Sequence, residues 1–269
     1  MKIIPLLLVS LLGGILLPAT ASAAVLVNDA SIYNADWATE DLGDWTTQSA
    51  TGANGISVTG GYLVLDNTNA TAGNSTVSIP SPVADIPADY IYTVRANVVQ
   101  FPTAANTGNS TYLAQLRLSG GGSRRNLLSV AVQSNQILVL NNTLYTAIPI
   151  VTLEDTFYTW QFQVSMLPAS TSTDPAGTVD IYRRQSDTDA WTLVGEDIII
   201  GSSSAEKSAV VLSMAYNAQT PSAQGIVEQD YFQLGVAAAI PEPSSSALLL
   251  LPLFAGGIAF WRKSRRTAV

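Results

Sequence analysis

The sequence predicts an all-β protein, a two-sheet antiparallel β-sandwich over residues 24–239, flanked by an N-terminal signal peptide and a C-terminal transmembrane helix. Three observations carry this. The middle of the chain has almost no helical periodicity and many short alternating runs bounded by Gly, Asn, Ser, Pro and Thr. Each run has one apolar face, and about a dozen strands of that kind bury those faces only by packing as two sheets. Apolar stretches are confined to the two ends, each with the flanks of a membrane-targeting segment.

At the front, Met1-Lys2 is a minimal positive region, residues 3–17 are apolar, and Ala21 and Ala23 are the small residues a signal peptidase prefers. Cleavage is expected after Ala23, so residues 1–23 are set aside as a signal peptide. Pro5 and Gly13-Gly14 make a poor spanning helix, which argues against a retained anchor.

The clearest strands come next. Tyr90, Tyr92, Val94, Ala96 and Val98 alternate with Ile91, Thr93, Arg95 and Asn97, while Tyr112, Ala114, Leu116 and Leu118 alternate with Gln115 and Arg117. Tyr158, Trp160, Phe162, Val164 and Met166 do the same against Thr159, Gln161, Gln163 and Ser165. Further strands are expected at 56–58, 62–65, 76–79, 126–132, 136–140, 178–183, 191–194, 209–216 and 225–234. Ser134-Asn135 suits a tight hairpin, Pro168 to Gly177 reads as a solvated loop, and Asp187-Thr188-Asp189 turns the chain before Trp191. The adjacent pairs Glu154-Asp155 and Glu196-Asp197 read as turn charges, because neighbours in a strand point to opposite faces.

Composition narrows the function. Of the 20 acidic residues, 19 lie between Ala24 and Ile240, against seven of the 12 basic ones, so this part carries about −12. Such a surface disfavours nucleic acid and anionic lipid. There is no cysteine, so stability rests on the core rather than on disulfides. There is no histidine either, which removes the commonest general base and the usual zinc ligands. The Glu-x-Asp-x-x-Glu pattern of a carboxylate glycosidase is missing; Glu228 and Asp230 share a strand face without a third acid. The chain is therefore expected not to be an enzyme.

Two kinds of ligand fit what remains. Calcium needs only oxygen ligands, and Asp36, Glu40, Asp41 and Asp44 crowd one early loop. Turn carboxylates that cap local backbone are the competing and preferred reading. Carbohydrate needs aromatic faces beside amides and carboxylates, and Trp37, Trp45, Tyr145 and Trp191 sit in such contexts. Burial is the preferred reading for each of these tryptophans, and Tyr158 and Trp160 belong to the core pattern.

At the end of the chain, Ile240 leads into Pro241-Glu242-Pro243 and three serines (240–246), an apolar run (247–261), and the tail 262–269. Arg262, Lys263, Arg265 and Arg266 make that tail a stop-transfer cluster that stays cytoplasmic. A run of 15 residues spans about 22 Å as helix against a hydrocarbon core of about 30 Å, so its arginine and lysine flanks must snorkel. The two prolines hold the preceding peptide extended and accessible.

These three parts in order resemble the PEP-CTERM sorting signal of Gram-negative bacteria, with Ile240 in place of the usual valine. The resemblance implies transient anchoring in the inner membrane, recognition of the tail by an exosortase, and transfer to the cell surface or an exopolysaccharide matrix. A second resemblance spans most of residues 24–239. Asp44-Trp45, Val58-Thr59-Gly60-Gly61-Tyr62-Leu63, Phe157-Tyr158-Thr159-Trp160, Thr178-Val179-Asp180-Ile181-Tyr182 and Asp230-Tyr231-Phe232-Gln233-Leu234 are similar in order to the concanavalin A-like or laminin-G-like jelly roll. That group implies that the first and last strands meet.

Overall fold

The computed structural model describes residues 25–70, 73–79, 87–101, 110–118, 126–141, 144–167, 177–200, 209–218 and 225–238. The expected signal peptide with Ala21 and Ala23, the Pro241-Glu242-Pro243 segment, the apolar run and the basic tail lie outside these residues. Among the described residues no helix is long and apolar enough to cross a membrane.

The strands in chain order begin with β1 (Val27–Asn28), β2 (Tyr33–Asp36), β3 (Thr46–Gln48), β4 (Gly55–Thr59), β5 (Tyr62–Asp66) and β6 (Gly73–Ser78). Then come β7 (Asp89–Gln100), β8 (Ser110–Leu118), β9 (Asn126–Val132), β10 (Gln136–Asn141), β11 (Leu144–Pro149) and β12 (Phe157–Met166). The last are β13 (Gly177–Arg184), β14 (Thr192–Ile200), β15 (Ala209–Ala218), β16 (Ile226–Gly235) and β17 (Ala237–Ala238).

Two antiparallel sheets result. The first runs β14-β13-β12-β7-β16-β5-β4, with β2 also paired to β16; the second runs β11-β10-β9-β8-β15-β6-β3. The chain crosses between them repeatedly, from β5 to β6, back to β7, over to β8, back at β12, over at β15 and back at β16. Strands with a single apolar face need a second sheet to cover it, so both sheets draw on strands from the whole chain, β8 to β11 staying in one and β12 to β14 in the other.

The period-two reading holds residue by residue. Tyr92, Val94, Ala96 and Val98 of β7 join Trp160, Phe162 and Val164 of β12, and Val179 and Ile181 of β13, on the inner side of the first sheet. Leu128, Val130 and Val132 of β9, with Ile137 and Val139 of β10, face them from the second sheet. The hairpin at Ser134-Asn135 forms as expected, with Ile137 opposite Val132.

The first and last strands meet. β2 pairs with β16 through Tyr33 and Leu234, and the short ribbon β1–β17 sets Val27 against Ala238 and Asn28 against Ala237. Asn28 fastens the ribbon to the outer side of the first sheet, its Nδ2 donating to the Ile91 carbonyl, the Thr93 hydroxyl and the Gln233 carbonyl at 3.3, 3.0 and 3.2 Å.

One expectation fails. Glu196 and Asp197 lie inside β14 rather than in a turn, at the bulge where the pairing changes from Val179–Ile198 to Ile181–Gly195. The bulge puts Asp197 at φ 52°, and its N–H donates to the Asp180 carboxylate at 2.8 Å. An extra residue in a strand looks like a turn because both break the alternation.

Candidate functional site

Of the four aromatic candidates for glycan contact, Trp37 and Trp45 are buried, the reading preferred for them, and Tyr145 and Trp191 are half-buried. Trp37 and Trp45 are only 1% and 7% exposed and belong to the core, so neither offers a ring to a sugar. Because β2 zips onto β16, Trp37 just beyond it is carried beneath the sheet, where Nε1 donates to Gln229 Oε1 at 2.8 Å. Trp45 lies 4.8 Å from Trp37 and meets Tyr33 and Phe232 edge-on. Tyr145 is half-buried on β11, against Ala131 and Leu138 of the same second sheet. Trp191 alone remains beside polar strand residues, half-buried before β14 with the Arg184 guanidinium 4.5 Å above its ring.

The early acidic loop is a set of turns, not a cation cage. Asp36 Oδ1 accepts from the Ala38 N–H at 3.0 Å and its carbonyl from the N–H groups of Thr39 and Glu40. Asp41 Oδ1 accepts from Gly43 N–H at 2.6 Å. Among the described residues no group of three or more acidic or metal-ligating side chains that could hold a metal ion is found, and the turn-capping reading preferred for Asp36 and Asp41 accounts for their hydrogen bonds.

A different constellation appears on the outer side of the first sheet. Register places Arg184, Thr159, Arg95, Tyr231 and Asp36 in one cross-strand row over β13, β12, β7, β16 and β2. The next row holds Phe157, Asn97 and Glu228. Cross-strand neighbours share a face, so these side chains meet.

Their contacts fall into three groups. A bulge between Gln229 and Tyr231 turns Asp230 toward Arg95, giving an Nε–Oδ2 distance of 3.0 Å. The Arg95 guanidinium lies 5.2 Å from the Phe157 ring centre, and Tyr62 packs on Phe157 at 5.1 Å. Asn97 Nδ2 donates to Glu228 Oε2 at 3.1 Å. On the other flank Arg184 donates through its NH1 to the Asp187 carbonyl at 2.9 Å and through its NH2 to the Asp187 carboxylate at 2.7 Å. Both guanidiniums are thus held by a ring and a carboxylate, which fixes their remaining donors.

Three buried polar atoms in this patch have no hydrogen-bond partner among the described residues: Thr159 Oγ1, Asn97 Oδ1 and Arg184 Nε. All three are closed off from solvent, as are the unpaired Trp45 Nε1, Asn67 Nδ2, Tyr90 Oη and Thr152 Oγ1 elsewhere in the sandwich. Burial raises the Asp230 carboxyl above its ordinary range; Arg95 opposes this, while Asp36 and Asp187 add to it.

The sequence reading singled out Glu228, Asp230 and Trp191 but not Arg95, Asn97, Thr159 or Arg184. The signal was present in the alternation itself, which leaves Arg95, Asn97 and Thr159 on the polar side of their strands.

No protein-family model and no curated protein matches the sequence. Among solved structures the sandwich is similar to peanut lectin with a nonapeptide, at TM-score 0.52 and 10% identity, covering 78% of this chain and 97% of that one. It is also similar to the metal-free lectin I-B4 from Griffonia simplicifolia (TM-score 0.47, 11% identity, 76% and 99% covered). A third is an alginate lyase Aly36B mutant in complex with alginate tetrasaccharide (0.47, 13%, 76% and 96%). At these identities the likeness is one of fold: the chain has the legume-lectin, concanavalin A-like jelly roll.

Proposed function

We propose that this chain is an exported cell-surface or extracellular-matrix protein whose sandwich binds carbohydrate. What supports the binding is the lectin-like jelly roll together with the outer row of the first sheet, where the part-exposed Arg184 and Arg95 stand beside Trp191 and the Phe157–Tyr62 pair. Aromatic faces beside fixed polar groups suit pyranose rings, apolar on their faces and polar at their edges. Glu228 and Asp230 are engaged by Asn97 and Arg95, which suits a binding role better than catalysis.

The address comes from the ends of the chain. A signal peptidase removes residues 1–23, the apolar run holds the protein in the inner membrane, and an exosortase acts at Pro241-Glu242-Pro243 before release to the surface or matrix. Exopolysaccharide is then the partner at hand. Intact mass of the secreted form tests the sorting: loss of residues 262–269 is expected, and a mature mass still including them rules processing out. Retention on the producing organism's own exopolymer tests the binding. A protein that passes unretained is a structural matrix component instead.

A further inference from the structure

We infer that Asn54-Gly55 is a deamidation site which the fold holds shut, and that its conversion unlocks the β4 edge of the first sheet. It is the one Asn-Gly pair in the sequence. Asparagine is lost when the following backbone nitrogen attacks its side-chain carbonyl carbon, and a glycine there has no Cβ to obstruct the approach. Gly55 has a φ of 124°, a conformation that only glycine adopts without strain, although nothing lies within 4 Å of the place a Cβ would take. The backbone that starts β4 thus requires the residue that makes Asn54 reactive.

The reaction balances with water alone. The Gly55 nitrogen bonds to Asn54 Cγ, the Cγ–Nδ2 bond breaks, and ammonia leaves with the proton of the Gly55 N–H. Water then opens the succinimide at either carbonyl, to aspartate or isoaspartate. Attack requires the Asn54 side chain to turn toward Gly55, and in the native chain both of its polar atoms are held. Nδ2 donates to Asp66 Oδ2 at 2.9 Å and to Thr68 Oγ1 at 2.8 Å, and Oδ1 accepts from Asn69 Nδ2 at 2.7 Å. Gly55 itself stands opposite Asp66 in the β4–β5 ladder. Yet Asn54 is exposed and β4 ends its sheet, the kind of segment that opens locally without global unfolding. Burial acts to raise the Asp66 carboxyl, but bonds from Thr68 and Asn54 outweigh it and hold the group below its ordinary 3.8, so it is anionic at neutral pH. A carboxylate at position 54 replaces two donated hydrogen bonds with repulsion from Asp66 at hydrogen-bond distance. The clasp then no longer recloses, and β4, whose Ile56 and Val58 pack on the core, is loosened.

The test is ageing of the purified protein in mildly alkaline buffer, native and in urea, with peptide mapping of isoaspartate and of the mass gain of about 1 Da at each asparagine. Conversion at Asn54 ahead of every other asparagine is expected, slower in the native protein than in urea by about tenfold or more. Thr68→Val and Asn69→Ala each remove one bond of the clasp and should speed the native reaction about fivefold, the worth of one hydrogen bond, without changing the rate in urea. First conversion at Asn74-Ser75 or any other pair overturns the assignment. Equal rates in native and urea-unfolded protein, or in both variants and the parent, overturn the clasp. Asn54→Asp reproduces one product: its melting midpoint should fall by about 2–4 °C at neutral pH, and Asp66→Asn added to it should recover part of the loss. An unchanged midpoint in Asn54→Asp overturns the unlocking.

Discussion

Trp37 and Gln229, 192 residues apart, share a hydrogen bond of 2.8 Å inside the sandwich, Nε1 donating to Oε1. Both side chains are buried, so neither has water as an alternative partner. Gln229→Leu strands the indole N–H and should lower unfolding free energy by about 1–3 kcal/mol in denaturant melts. Trp37→Phe in the same background should then cost less than it does in the parent chain, since the orphaned donor is gone. Additive effects would show that the pair does not couple β2 to β16.

The ribbon that joins the chain ends is acid-sensitive. Hydrogen bonds from the Ser31 hydroxyl and N–H hold the Asp29 carboxyl below its ordinary 3.8, burial opposes them slightly, and the Val236 N–H adds a further bond at 2.8 Å. A lowered folded value means the contribution is complete above pH 3.8 and is lost as pH falls through the lowered value. Protection of the Val236 amide, its exchange measured against the intrinsic rate at the same pH, should therefore fall in acid, and Asp29→Asn should lower that protection and remove the pH step. Equal protection in acid and at neutrality would discard the role of Asp29.

How far the sequence disclosed all this depends on strand length. The strands β7, β8 and β12 were legible because each alternates over several residues, and a period of two seen that often has no other reading. The short elements β1, β2, β3 and β17 were not: Tyr33-Asn34-Ala35-Asp36 and Thr46-Thr47-Gln48 are too short and polar to show a period, and exist because β16 and β6 lend them partners. Trp37 and Trp45 were legible only as a preference for burial, because their neighbours Asp36, Ala38, Asp44 and Thr46 read as loop; pairing of β2 to β16 and of β3 to β6 fixes the chain on either side of the two buried rings. The arginine row escaped notice because it joins residues 95, 159 and 184, whose adjacency is a fact of register and not of sequence.

Gly177 is required by close approach. It lies opposite Met166, and a Cβ there would sit 2.2 Å from the Ser165 carbonyl oxygen and 2.9 Å from Met166 Cα, backbone atoms that cannot swing away. Gly177→Ala should push β13 off β12 and cost about 1–3 kcal/mol, the usual range for overpacking. Thermal melts would read the loss; an unchanged midpoint would mean that the β12–β13 pairing shifts freely to admit a methyl group.

The acid response of Asp230, on the outer face of the first sheet, runs opposite to that of the ribbon. Asp230 is raised above 3.8, by burial first and then by Asp36 and Asp187, against the pull of Arg95. Its charge therefore costs folding stability: that stability is fullest below 3.8 and is lost as pH rises through the raised value. Binding goes the other way, because a protonated Asp230 no longer holds the Arg95 guanidinium by a charge-assisted bond. Affinity for a neutral glycan should fall as the solution is acidified through the raised value, while thermal stability from this group rises over the same interval. Asp230→Asn should bind several-fold more weakly at neutral pH, as expected for loss of a charged hydrogen bond, with a flattened pH profile. Unaltered affinity and an unaltered profile in Asp230→Asn would separate the ion pair from ligand binding and leave Asp230 a purely structural partner of Arg95.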